Sequence, residues 1–417
     1  MEITIIVEVK ILASETAWWE TLFVVLDKLG SIKADYTLIR SSALFAQGIV
    51  TQQDQAAPDR LELSIQWDLA QRVYEVFGAQ EEKNRRADCE SFQVHYQNLT
   101  ITFYAYLNTV VVTDPDRLEI VHTNRTIWVK GLDYYLHSLP REHPDSRALQ
   151  NYFRQLQQHN SQLNQAAWNQ AAYDAWIQRH GPPQVLAERI KKDPLARLAS
   201  LNKYLPAIEG KKIINLLGSH GTKAIALAVL GGQVTIVDIS QENAQYAHEV
   251  AAAAGVQLRY IVADVLNLPT EELDHSYELV FMELGILHYF VDLAPLAQTV
   301  ERLLRPGGRL ILQDFHPVST KLLKSSSKKH KVSGNYFDKS LHTTNVAFSK
   351  HLAAETHKAS QQVYLRYWSL GEIVTAFAEA GLFIRRLEEE PNSKIDDMGI
   401  PKTFTLVAER LPVSVSD

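Results

Sequence analysis

One stretch restricts the fold more than any other: INLLGSHGTKAIALAVLGGQVTIVDIS, residues 214–240. It reads as a strand, a glycine turn, a helix, a second strand and an acid. Ile213, Ile214, Leu216 and Leu217 make a near-continuous apolar run, as a parallel strand buried on both faces requires. Gly218 and Gly221 bracket the turn, with Ser219 between them. The helix from Thr222 to Leu230 then presents its first amides to whatever occupies that turn. Asp238 and Ile239 end the next strand, and open α/β sheets bind ligands at that edge. A carboxylate there is placed to accept both hydroxyls of a ribose. Asp264 and Val265 follow the third strand in QLRYIVADV, where a side chain meets the edge of an adenine. From about residue 205 strands and helices alternate, which predicts a doubly wound, parallel sheet.

Downstream come YELVFMELGILHYF, LLRPGGRLILQDFHP, SLGEIVTAFAEAGLFIRRLEEEP and GIPKTFTLVAER. With these in place, residues of about 165–410 resemble the class I S-adenosylmethionine-dependent methyltransferases. The resemblance implies a seven-stranded, mostly parallel Rossmann-like sheet with an antiparallel last strand. It also implies S-adenosyl-L-methionine as cofactor and a one-carbon transfer reaction. That family's acid-x-G-x-G-x-G pattern falls on Asn215, Leu217, Ser219 and Gly221, so only the last glycine is in register. Asn215 can hydrogen-bond but cannot present a charge. By resemblance, Met282, Glu283 and Leu284 line the methionine end of the cofactor. A nicotinamide site would want G-x-G-x-x-G, which is absent.

Methyl transfer from a sulfonium is an in-line displacement in which positioning and desolvation dominate. A base is needed only if the acceptor loses a proton as it attacks. Glu283, His288, Tyr289 and His316 are the candidate catalytic residues, and Asp314 a further candidate base, all near the carboxyl edge. Trp168, Tyr173, Trp176 and His180 recur at near-helical spacing, and such a helix covers cofactor or substrate in similar enzymes. We expect Tyr173 and Trp176 to face substrate, with Tyr336 and Phe337 joining them from an insertion after the fifth strand. KLLKSSSKKHKVSGN, residues 321–335, reads as a solvated loop.

The expected domains are 1–140, a helical connector and lid at 141–200, and 201–417. The first mixes helices and strands, among them ETAWWETLFVVLDKLG, LELSIQW, LTITFYAYL and TIWVK. Over about 10–140 it resembles the α+β nucleotidyltransferase fold. That fold's Asp-x-Asp falls on Arg60 and Glu62, its third acid on Thr102, and an expected glycine on Arg40. Two metal ions need several carboxylates, so nucleotidyl transfer is not expected here, and no metal site is. Recognition or assembly, including self-association, is the expected role.

Composition restricts the rest. A net charge of -6 and a pI near 6.2 do not favour nucleic acid or an anionic membrane as partner. The single cysteine, Cys89, excludes an intrachain disulfide and fits a reducing compartment. No apolar run reaches the roughly 18–20 residues a membrane span needs, and MEITIIVEVK reads as a strand. A cytoplasmic enzyme acting on a small-molecule acceptor is the expectation. The alternatives are a non-catalytic module that binds the cofactor or a nucleotide, and another transferase of the same fold, such as an aminopropyltransferase.

Overall fold

The computed structural model describes residues 13–49, 57–140, 142–326, 329–352, 362–392 and 399–412. The strand read in MEITIIVEVK lies outside the described residues. The chain divides into two compact units, Met1–Gln155 and Leu156–Asp417.

Unit 1 begins with α1 (Ala13–Ser31), whose Trp18, Leu22, Val25 and Leu29 bury one helical face. Then come β1 (Tyr36–Leu38), α2 (Arg40–Ala46), β2 (Arg60–Ile65), α3 (Ala70–Val76), β3 (Asn84–Arg85) and β4 (Cys89–Tyr96). The unit closes with β5 (Leu99–Tyr106), β6 (Arg117–His122), β7 (Arg125–Lys130) and α4 (Leu132–Ser138). The sheet runs β3-β4-β5-β2-β1-β7-β6. β2 and β5 are parallel neighbours, in a register that sets Glu62 beside Thr102.

α5 (Pro144–Trp168) spans the division between the units, so residues 141–200 are not a body of their own. α6 (Ala172–His180), α7 (Pro183–Lys192) and α8 (Pro194–Leu198) contribute Trp176, Leu186, Ile190 and Leu198 to the core of unit 2. The alternating region is β8 (Lys212–Leu216), α9 (Thr222–Val229), β9 (Gln233–Asp238), α10 (Gln241–Ala254), β10 (Arg259–Val262), β11 (Tyr277–Glu283), α11 (Ala294–Leu303) and β12 (Leu304–Phe315). After β12 the chain makes two ribbons, β13 (Leu323–Ser326) with β14 (Lys329–Val332) and β15 (Leu341–Asn345) with β16 (Gln362–Arg366). The segment expected as a solvated loop therefore contains a pair of antiparallel strands. α12 (Leu370–Glu379), β17 (Leu382–Pro391) and β18 (Pro401–Arg410) complete the unit.

The sheet order is β10-β9-β8-β11-β12-β18-β17. β8 to β12 run parallel and β18 antiparallel to β12. This is the Rossmann-like sheet with an antiparallel last strand that the resemblance implied. The order reverses between β9 and β11 around β8, and a crevice forms at such a reversal. Local chemistry fixes the helix starts around it. Ser240 Oγ accepts from the Asn243 amide to begin α10, and Gly255 at φ 75° ends it. Ser369 and Glu372 make a reciprocal capping box on α12.

Candidate functional site

A cavity of about 540 Å³ opens at the carboxyl edge of the parallel strands of unit 2. Its floor is the turn after β8. The Gly218 amide donates to Val237 O, and the Ser219 amide to Asp238 Oδ2 at 3.0 Å. Leu217 and Ser219 adopt φ of 50° and 49°, the left-handed region that glycine prefers. The backbone thus keeps the glycine shape at the two positions where the family's glycines are replaced. Gly218 leaves room that a larger residue would fill: an added Cβ would lie 2.6 Å from Asn215 Oδ1 and 2.7 Å from Ile236 Cγ2. Asn215 lies beneath the turn, 1% exposed, its Nδ2 donating to Phe281 O at 3.0 Å. Gly221 caps α9 from below the cavity at φ 75°.

Asp238 lines the cavity and is nearly buried. Burial pushes its pKa up, against the pull of the Asn243, Ser240 and Ser219 N–H groups. Its Oδ1 accepts from the Ser240 amide and Asn243 Nδ2, each at 3.0 Å. These bonds fix the orientation of the carboxylate at the end of the strand. Asp264 also lines the cavity and uses Oδ1 to cap the turn at Leu266. Ile239 and Val265 lie beside these acids, and Leu217, Gly218 and Ser219 complete that side.

The opposite side comes from the segment after β11. Glu283 pairs with Lys223, from the first turn of α9, and both line the cavity. Burial draws the Lys223 ammonium down to about 8. Leu284, His288, Tyr289 and Phe315 continue the wall. Burial lowers the His288 pKa, and the Asp314 carboxylate pushes it back up. Tyr289 Oη accepts from Trp168 Nε1 at 3.2 Å, and burial raises its phenol far above the usual range. Asp314 is a clamp rather than a base facing the cavity. Only 4% exposed, it accepts from the amides of Gly285 at 2.5 Å, Ile286 at 3.1 Å and Leu287 at 3.0 Å.

Several expected site residues lie elsewhere. Met282 is fully buried in the core, because alternation along β11 turns it away from the edge. His316 is 3% exposed, with Nε2 against Glu389 at 2.5 Å and Nδ1 accepting from the Val318 amide. It is outside the cavity lining. Tyr173 donates to Glu249 at 2.6 Å, and Tyr336 Oη accepts from the Leu370 amide. Phe337 is 58% exposed. None of these three lines the cavity, whereas Trp176 does, its Nε1 donating to Asn243 Oδ1.

Sequence reasoning missed Gln157, Arg179, Arg197, His220, Lys223, Lys350 and His351, all of them lining residues. Lys223 was legible, since a second-position side chain on a helix that follows a glycine turn points along the edge. Nothing local marks Lys350 or His351.

The cavity passes a fit test for S-adenosylmethionine. Its size suits a small ligand, its acids sit at the ends of successive strands, and Thr222 Oγ1 is buried without a partner beside the turn.

In unit 1 the positions read from the nucleotidyltransferase resemblance do come together. Ser41 Oγ donates to Glu62 Oε2 at 2.8 Å, and Ser42 Oγ accepts from the Glu62 amide at 2.8 Å. Arg40, at φ 55°, sets its guanidinium 3.5 Å from Glu62 and 4.1 Å above the Tyr104 ring. Beside them is a polar cavity of about 450 Å³. Among the described residues no cluster of His, Cys, Asp and Glu could hold a metal ion.

Residues 213–308 match the family described as "Methyltransferase domain". Among curated proteins, the chain is 27% identical over 126 residues to a demethylmenaquinone methyltransferase of Clavibacter sepedonicus, covering 30% of this chain and 49% of that one. It is 34% identical over 122 residues to the 27-O-demethylrifamycin SV methyltransferase of Amycolatopsis mediterranei, covering 28% and 43%. The chain thus spans about half the length of the curated relatives it matches. A solved S-adenosylmethionine-dependent methyltransferase of Mesorhizobium loti aligns at 21% identity and TM-score 0.41, covering 52% of this chain and 99% of that one. The matched residues run from β8 into β12, in agreement with the expected S-adenosylmethionine-dependent methyltransferase.

Proposed function

We propose that this chain transfers a methyl group from S-adenosylmethionine to a small-molecule acceptor bound in the cavity of unit 2. One observation carries the reading: the turn after β8, Asp238 after β9 and Asp264 after β10 line a single cavity. When bound, the cofactor supplies a methyl group on an excellent sulfonium leaving group. Asp238 holds the ribose, Asp264 and Val265 face the adenine, and Glu283 with Lys223 bounds the methionine end. His288 and Tyr289 face the acceptor. Burial keeps the His288 imidazole neutral at pH 7, the form that takes a proton. Because Tyr289 Oη accepts from Trp168, its own proton is left to orient the acceptor.

Unit 1 is read as a nucleotidyltransferase-like body without the chemistry. Arg40 puts a fixed positive charge against Glu62, where the transfer reaction would want a divalent cation. Recognition of substrate, or self-association, is the role left to it. Among the described residues no helix is long and apolar enough to cross a membrane. The test of the main reading is to incubate the full chain with methyl-labelled cofactor and a cell extract, with product detection by mass spectrometry. A labelled small molecule that disappears with Asp238→Ala supports it. Labelled protein or nucleic acid in place of a small molecule contradicts it.

A further inference from the structure

One wall of the unit 2 cavity is not used by the cofactor contacts described above. Three of its side-chain atoms are buried with no hydrogen-bond partner: His180 Nε2, Arg197 Nε and His220 Nε2. Buried polar atoms are rarely left unpaired, so several on one wall mark the seat of a polar ligand. The rings are held in place by stacking. His220 lies 4.1 Å from Trp176 and 4.8 Å from His180, centroid to centroid.

Charge says which polar ligand. Arg179, Arg197 and Lys350 line the same cavity, and among the described residues none of them is paired with a carboxylate. Arg179 Nη1 donates instead to a neutral acceptor, His351 Nε2, at 2.5 Å. The carboxylates that line the cavity are engaged elsewhere, Asp238 by three N–H groups, Asp264 by the Leu266 amide and Glu283 by Lys223. The cofactor brings a sulfonium and an ammonium against one carboxylate. Loading it therefore leaves the positive surplus in place. The cations also come from outside the matched methyltransferase region of 213–308: Arg179 from α6, Arg197 from α8, and Lys350 from the insertion between β12 and α12.

We infer that this wall seats an anionic group, a carboxylate or a phosphate, carried by the methyl acceptor. The inference rests on the proposed function and narrows its substrate class. An oxyanion bridging guanidinium and ammonium groups makes charge-assisted bonds, stronger than neutral ones. It also balances the cofactor's sulfonium across the cavity. The other source of the same chemistry is the cofactor's own carboxylate, but one carboxylate does not match three cations.

The experiment titrates inorganic phosphate into the full chain, free and saturated with S-adenosylhomocysteine, by calorimetry and phosphorus NMR. Variants Arg179→Gln, Lys350→Gln and the pair are compared, with Arg197→Gln as a second route if the pair is unstable. Phosphate binds the saturated protein, and the paired variant raises its Kd at least tenfold. S-adenosylhomocysteine affinity stays within threefold, and so does its preference over 5′-methylthioadenosine, which lacks the carboxylate. Three results overturn the inference: phosphate that does not bind, phosphate that displaces S-adenosylhomocysteine, or variants that lose only the preference over 5′-methylthioadenosine. The last would assign the cations to the cofactor. A wild type that binds phosphate through these residues but no S-adenosylhomocysteine would contradict the methyltransferase reading and leave the anion seat standing.

Discussion

Replacing Asp314 by alanine removes the clamp on the acceptor side of the cavity. Its Oδ1 accepts from the Gly285 and Phe315 amides at 2.5 and 2.7 Å, and its Oδ2 from the Ile286 and Leu287 amides at 3.1 and 3.0 Å. Hydrogen bonds to a charged acceptor are worth roughly 1.5–3 kcal/mol each, and amides left buried without one add a desolvation cost. The four act as a unit and do not sum. Water at the cavity edge replaces part of the loss, which sets the expected cost at about 3–5 kcal/mol. Asp314→Asn keeps one carbonyl oxygen, enough for two of the amides, and should cost about 2–3 kcal/mol. Urea unfolding with an unchanged slope reads the stability. Hydrogen exchange at Gly285, Ile286 and Leu287 should rise specifically. Because the clamped segment carries Leu284, His288 and Tyr289 to the cavity, cofactor affinity should fall with it. An alanine variant within about 1 kcal/mol of wild type, with those amides still protected, would refute the clamp.

The remaining expectations concern the turn and the stacked histidines. Gly218→Ala drives a Cβ to 2.6 Å from Asn215 Oδ1 and should destabilise by about 1–3 kcal/mol in a thermal or urea melt. Ser219→Gly relieves a φ of 49° and should be neutral or stabilising by up to about 1 kcal/mol in the same melt. Burial lowers the His180 pKa from 6.5 to about 4, so below pH 6.5 the unfolded chain binds a proton that the folded chain refuses. The protein should therefore lose stability as pH falls from 6.5 toward 4, and His180→Gln should flatten that slope in urea melts taken across the range. His220, lowered in the same way, keeps part of it.

What the sequence revealed depended on how local the signal was. The turn, Asp238 and Asp264 were legible because each sits at a strand end fixed by its own neighbours, and strand ends of a parallel sheet share one edge. The direction of side chains just past a strand was not legible. Asp314 and His316 both follow the apolar run of β12, yet one turns back to bind the Gly285–Leu287 amides and the other meets Glu389 on β17. Those partners are distant in the chain. The Ser/Lys-rich segment read as a loop because composition reports on solvation, whereas the β13–β14 ladder uses backbone groups that every residue carries. Lys350 and His351 reach the cavity from an insertion whose neighbours, Val346 and Phe348, are buried in the core of unit 2. Their approach is set by that packing. In unit 1 Glu62 and Thr102 read as strand residues from their neighbours, while their pairing in adjacent parallel strands and the guanidinium of Arg40 beside Glu62 depend on distant chain and on a backbone angle no spacing encodes.

The most direct test of the account is calorimetric titration of S-adenosylhomocysteine into the full chain and into Asp238→Ala. Asp238 is proposed to accept from the cofactor's ribose, and one charge-assisted bond of roughly 1.5–3 kcal/mol is about tenfold or more in Kd. The account predicts one site in the wild type and at least tenfold weaker binding in a variant whose circular dichroism shows it folded. A wild type that binds no S-adenosylhomocysteine, or a folded variant that binds it equally well, would contradict it.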